Sequence, residues 1–211
     1  MSKENYFIIR PFGPSIVKLK MPENLVNKLN TYVGKITSNE KKSSELDYGA
    51  QLAGMVTQEF TIEKDFTQEV GLEKFLSDAC GKWIELVYRQ KISKFEIISS
   101  WIVRQFKDEY NPTHWHGGHI SGVGYLKVPN NLGSTKKGKD KNNINGCLQL
   151  IHGSKMFMSE SIYTAKPEVG DFYLFPNYLM HTVFPFTDTD EERRSVSFNA
   201  RVDNQIYNVY G

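Results

Sequence analysis

At 211 residues, with 26 basic residues against 24 acidic ones, the chain has room for one ordinary domain with its own core and is too nearly neutral for a protein whose main partner is nucleic acid. Hydrophobic residues make up 39% and charged residues 24%, a globular mixture rather than a disordered or fibrous one, and no apolar run approaches the roughly 20 residues that a membrane-crossing helix needs. Cys80 and Cys147 form no CxxC pair, and MSKENYFIIRPFGPS lacks the apolar stretch and small-residue site of a secretory signal, so a reducing cytoplasm is the expected setting, without a disulfide framework or a membrane partner.

In chain order, NYFIIRPFGPSIVKL (5–19) is β-branched and aromatic with Pro and Gly punctuation, which predicts one or two short strands. From Met21 to Val33 a helix is expected, with Pro22 in its first turn and Leu25, Val26, Leu29, Tyr32 and Val33 on one face. Ser38–Asp47 is polar and reads as an exposed loop, and QEFTIE (58–63) as a strand. Leu72, Phe75, Leu76, Ala79, Trp83, Leu86 and Val87 form an apolar stripe that predicts a second helix over Val70–Val87.

The pattern then changes to strands at 95–106, 120–129, 146–153, 170–176, 180–186 and 193–202, separated by Gly, Pro, Asn and Asp. Helices followed by an all-strand half predict a mostly β fold: an antiparallel sandwich or barrel with supporting helices, in a single domain whose residues 1–94 buttress a core at 95–203. The lysine-rich STKKGKDKNN (134–143) reads as a solvated loop, and the loops at 38–50 and 130–145 can frame an entrance.

All five histidines lie in the second half, three of them in NPTHWHGGHISGVGYLKVP. In an extended segment residues two apart point the same way, so His114 and His116 can present both imidazoles to one ion. His181 follows a Pro-Asn turn at the start of a strand. Arg193 opens RRSVSFNAR, where alternation puts Arg193, Ser195, Ser197 and Asn199 on one face and Arg194 on the other. A guanidinium facing into a barrel needs an anion, and a carboxylate matches its fork, so a metal and an organic acid are expected in one cavity.

An HxH pair before a strand, a distal His after GDFYLFP and an Arg about a dozen residues later in RRSVSFN resemble the 2-oxoglutarate/Fe(II)-dependent oxygenases, with the HWH…SGVGYLKVP wording similar to small members from bacteriophages and marine bacteria. The resemblance spans about residues 95–202 and implies a double-stranded β-helix (jelly-roll, cupin-like) core. It implies Fe(II) held by His114, His116 and His181, and 2-oxoglutarate held at its far carboxylate by Arg193 with Tyr125 and Ser197 adding hydrogen bonds. The implied reaction consumes O₂ and decarboxylates 2-oxoglutarate to succinate while a small-molecule or peptide substrate is oxidised. A phage-encoded member would work in the host-cell cytoplasm.

The family's second ligand is a carboxylate, and this chain has His116 there. His119 can replace it if the loop curls through Gly117-Gly118, and Asp108 or Glu109 can do so if the loop folds back. Two other functions share the motif: a three-histidine dioxygenase that needs no keto acid, and a non-catalytic jelly-roll binding module. His152 reads as a core histidine or one supporting the ligands, Trp83, Trp101 and Trp115 as packing residues with Trp115 near the pocket mouth, and Cys147 as a buried small residue. The glycines at 117, 118, 122 and 124 make no phosphate loop, because no helix follows them.

Overall fold

The computed structural model describes residues 6–9, 13–134 and 143–208. Most of the lysine-rich stretch therefore lies outside the described residues. Among the described residues, eleven strands and five helices follow in the order β1 (Tyr6–Ile9), β2 (Ile16–Lys20), α1 (Glu23–Thr37), α2 (Glu40–Glu45), β3 (Gln58–Thr61), α3 (Lys64–Glu69), α4 (Leu72–Tyr88), β4 (Phe95–Gln105), β5 (Asn111–His114), β6 (Ile120–Lys127), β7 (Leu148–Ile151), β8 (Ile162–Ala165), β9 (Asp171–Pro176), β10 (Met180–Val183), β11 (Arg193–Val202) and α5 (Asn204–Tyr207). The strands form a seven-stranded sheet in the order β1-β2-β9-β6-β11-β4-β3 and a four-stranded sheet in the order β5-β10-β7-β8, with antiparallel pairing throughout. This is the expected mostly β architecture with a jelly-roll core.

Strand alternation divides the apolar residues into two cores. Val196, Phe198 and Ala200 of β11, with Phe172 and Leu174 of β9, face the helices and pack on Leu25, Leu29, Val33, Leu76, Ala79 and Trp83. Their neighbours of opposite parity, including Tyr173 and Phe175, face the small sheet and meet Leu148, Leu150 and Ala165. Gly122 and Gly124 of β6 explain themselves here: a Cβ at either position would fall within 2.6 or 2.3 Å of the rings of Phe198 and Phe172, so their absent side chains let those aromatics pack on the strand.

Several boundaries depart from the sequence pattern. α1 runs to Thr37, with Pro22 as its N-cap residue, because Ile36 is buried and extends the apolar face by a turn. The second helical stretch splits at Gly71, whose φ of 85° ends α3 and starts α4. Leu86, expected in the stripe, is exposed. Ser38–Asp47 is not a simple loop: Asn39 Oδ1 accepts from Lys42 N at 3.0 Å and caps α2, a helix that buries nothing and so has no hydrophobic signature. β5 and β8 lie outside the expected strands: β5 carries Pro112, and β8 has only Ala165 buried, so neither shows an apolar alternation.

Candidate active site

The first sequence-predicted element of the site is the histidine pair. β10 lies between β5 and β7, with His181 directly opposite His114 on one side and Leu150 on the other. Thr182 Oγ1 donates to Asn111 O at 2.7 Å and ties the edge strand β5 to β10. His116 lies just past the end of β5, where Asn177 secures it: His116 N donates to Asn177 O, and Asn177 Nδ2 donates to His116 O, each at 3.0 Å. The three rings converge, with centroids 4.3 to 4.9 Å apart and one nitrogen from each within 4.8 Å of the others.

The tautomers follow from the hydrogen bonds. A carbonyl oxygen only accepts, so His114 Nδ1, 2.6 Å from Pro112 O, and His181 Nδ1, 2.9 Å from Leu179 O, both carry protons and leave Nε2 as a lone pair. His181 Nε2 lies 3.1 Å from His116 Nε2. Two nitrogens bound at about 2.1 Å to one ion at right angles would stand about 3.0 Å apart. Burial, and then the charge of the neighbouring rings, holds His116 down to about 4 and His181 down to about 3; burial also lowers His114. Neutral imidazoles with free Nε2 lone pairs are the form in which histidine binds a transition metal, and they suit Fe(II).

Below the histidines, Trp101, Val103, Val123, Phe175, Ser195 and Ser197 line the same cavity with Arg193. Arg193 is buried. Its Nη1 donates to Gln105 Oε1 at 2.8 Å and its guanidinium lies 4.8 Å from the Tyr125 ring centroid. Its Nε and Nη2, together with the Tyr125 hydroxyl, have no hydrogen-bond partner among the described residues. Three idle polar groups around one buried cation fit a carboxylate, which accepts two parallel hydrogen bonds from a guanidinium. Arg194 points to the other face and meets Glu192 and Asn30, as alternation requires.

The residues left open in the sequence separate cleanly. His119 is not part of the cluster: its Nδ1 accepts from Val202 N at 3.1 Å and its ring stacks on Tyr207. Glu109 is turned away, accepting from Thr57 N and Phe106 N. Asn199, at a β-bulge, accepts from Ser121 Oγ at 2.8 Å instead of lining the cavity. His152 corrects the expectation of a core position. β7 ends at Ile151, so His152 starts the turn to β8 and is exposed. Cys147 and Trp83 are buried as expected, whereas Trp115 is exposed beside the histidines. Trp101 is more than a packing residue, because its ring meets the edge of His116 at 5.6 Å and forms part of the cavity wall.

Comparison with known proteins agrees with this geometry. Residues 99–199 match the family model described as "Putative 2OG-Fe(II) oxygenase". The match runs from β4 to β11, just under half of the chain, and includes the histidine cluster and Arg193. Among solved structures, the chain is similar to a prolyl-4-hydroxylase from Pseudomonas putida (15% identity, 87% of this chain and 91% of that one, TM-score 0.54). It is also similar to the viral collagen prolyl hydroxylase of Paramecium Bursaria Chlorella virus-1 (13%, 88% and 94%, 0.55) and to HygX of Streptomyces hygroscopicus, solved with nickel and 2-oxoglutarate (11%, 88% and 81%, 0.54). At these identities the likeness is one of fold. No curated protein matches the sequence. Among the described residues, no helix is long and apolar enough to cross a membrane.

Proposed function

We propose that the protein is a 2-oxoglutarate/Fe(II)-dependent oxygenase that hydroxylates a small-molecule or peptide substrate, with His114, His116 and His181 as the iron ligands and Arg193, Tyr125 and Ser197 as the seat of the far carboxylate of 2-oxoglutarate. The observation that carries this reading is the pairing of three converging imidazoles with a buried guanidinium whose Nε and Nη2 are idle in the same cavity. Iron and 2-oxoglutarate, when bound, supply the oxidising chemistry, in which O₂ is consumed, 2-oxoglutarate leaves as succinate and CO₂, and a C–H bond of the substrate gains oxygen.

The chain's own residues bind and orient. Pro112 O and Leu179 O fix two rings by their Nδ1 protons, Asn177 fixes the third through its backbone, and the three rings converge on one point, where they would hold Fe(II) and leave positions for co-substrate and O₂. Gln105 holds the Arg193 fork by its Nη1, so the remaining edge is presented to a carboxylate without a search over rotamers. The apolar walls from Val103, Val123 and Phe175 keep water from competing for that ion pair.

Arg193 also separates the candidates, since a three-histidine dioxygenase acting directly on its substrate has no need of a buried cation there. A reducing cytoplasmic setting belongs to the same proposal and agrees with two buried free thiols, Cys80 and Cys147. The test is O₂-dependent release of succinate from 2-oxoglutarate, expected in the wild type and lost in His114→Ala. Oxygen uptake on a substrate with no succinate formed would overturn the proposal in favour of the direct dioxygenase.

A further inference from the structure

Buried carboxylates in this fold are paired with cations, with one exception. Among the described residues three acids are buried: Glu59, Asp171 and Glu192. Asp171 meets Lys18 at 2.7 Å and also Lys20, and Glu192 is clamped between Arg104 and Arg194. Glu59 is 1% exposed, and neither of its carboxyl oxygens has a hydrogen-bond partner. The groups whose charge reaches it are themselves acids, Glu109 and Asp47, which together with burial push its carboxyl up to about 7. An isolated buried carboxyl among like charges destabilises a fold, so a site that keeps one implies a partner from outside the chain.

Its place points to which partner. Glu59 pairs with Val103, and Phe60 with Ile102; Phe60 and Ile102 face the helices, so Glu59 lies on the interior face alongside Val103, a wall of the histidine cavity. Asn111 lines that cavity too, and its Nδ2 lies 3.3 Å from the position a Cβ on Gly54 would take, while Glu59 Oε1 lies 2.9 Å from the same position. Asn111, which lines the cavity, and the Glu59 carboxyl thus both close on the Gly54 position. Gly54, in the segment between α2 and β3, lies against Glu59, and a side chain at this position would crowd Oε1.

We propose that Glu59 is a specificity-determining residue that receives a cationic group, an ammonium or guanidinium, of the substrate being oxidised. The substrate would then lie past Asn111, with its charged end on Glu59 and its reacting carbon towards the histidines. This rests on the oxygenase reading of the cavity and deepens it by assigning a substrate class.

The test is anaerobic calorimetric titration of butylammonium, butylguanidinium and neutral 1-butanol into the full chain loaded with Fe(II) and 2-oxoglutarate. The cationic probes are expected to bind wild type at least about tenfold more tightly than 1-butanol, and Glu59→Gln is expected to erase that preference. Gly54→Ala, which keeps the charge but crowds Oε1, is expected to weaken the cations several-fold and leave 1-butanol unchanged. Glu59→Gln is further expected to melt at or above the wild-type temperature, because the unpaired charge is gone. Equal cation affinity in wild type and Glu59→Gln, or a Glu59→Gln protein that melts lower because its carboxyl held a structural partner, would overturn the proposal. Failure of wild type to bind 2-oxoglutarate in the loading step would instead overturn the oxygenase reading beneath it, so the two failures are distinct.

Discussion

His181 Nε2 and His116 Nε2 stand 3.1 Å apart although 65 positions separate them in sequence. That spacing is what two ligands of one ion adopt, and it makes position 116 a test of ligand chemistry rather than of packing. His116→Asp is expected to retain one tight Fe(II) site, since the family's usual pattern places a carboxylate there. His116→Ala is expected to weaken Fe(II) by two orders of magnitude or more, on the order of the loss when ligand geometry is broken. Anaerobic Fe(II) titration of the two variants checks this, and equal loss in both would mean that the carboxylate cannot reach the ion.

Arg193 is tied down by one bond to Gln105 and left with two idle nitrogens, so its main contribution is to a ligand and not to the fold. Arg193→Met is expected to lose about 10²-fold in 2-oxoglutarate affinity, the scale of a desolvated charge-assisted pair. Its cost in stability without ligand is expected to be only about 1–2 kcal/mol, from the acceptor of Gln105 left unpaired. The checking measurement is thermal unfolding with and without 2-oxoglutarate: saturating ligand raises the wild-type midpoint by mass action and leaves that of the variant where it was.

Asn177 holds His116 from behind, and its Nδ2 bond to His116 O is the part that a substitution can remove. Asn177→Ala keeps the backbone bond from His116 N and loses the side-chain one, so the ring is held by half its anchors. A loss of about tenfold in Fe(II) affinity is expected, with the three ligands still present. Unchanged affinity by the same titration would place the positioning of His116 in the backbone alone.

The division between what the sequence reveals and what it conceals follows physical scale. The histidine cluster and the placement of Arg193 were legible because residues on strands carry short, position-locked patterns: alternation put Arg193 and Arg194 on opposite faces, and both lie where it placed them. The α4 stripe was legible because Leu72, Phe75, Leu76, Ala79 and Trp83 all reach one core. α2 was not, because its capping rests on Asn39 and its helix buries no side chain. Asn177 and Trp101 acquire their roles only from residues far away in sequence. Glu59 lies in QEFTIE, which reads as a strand, and its burial comes from tertiary packing that no local pattern reveals.

Glu192 precedes Arg193 and fixes how β11 enters the barrel. Arg104 donates to its two oxygens at 2.9 and 2.8 Å, and Arg194 adds two further bonds. Burial alone would raise this carboxyl, but the hydrogen bonds and charges of the two arginines outweigh it and bring it down to about 2. A carboxyl lowered on folding stabilises the protein above its unfolded value of about 4.3 and loses that contribution as pH falls through the folded value. The window is therefore about pH 4.5 to 2, and the full span is worth roughly 3 kcal/mol. Glu192→Gln is expected to flatten the wild-type fall in stability across that window. At pH 7 it is expected to cost several kcal/mol, because Arg104 and Arg194 are then left buried without their counter-charge. Urea unfolding followed at a series of pH values measures both effects, and parallel curves for wild type and variant would show that the clamp contributes nothing to the acid limb.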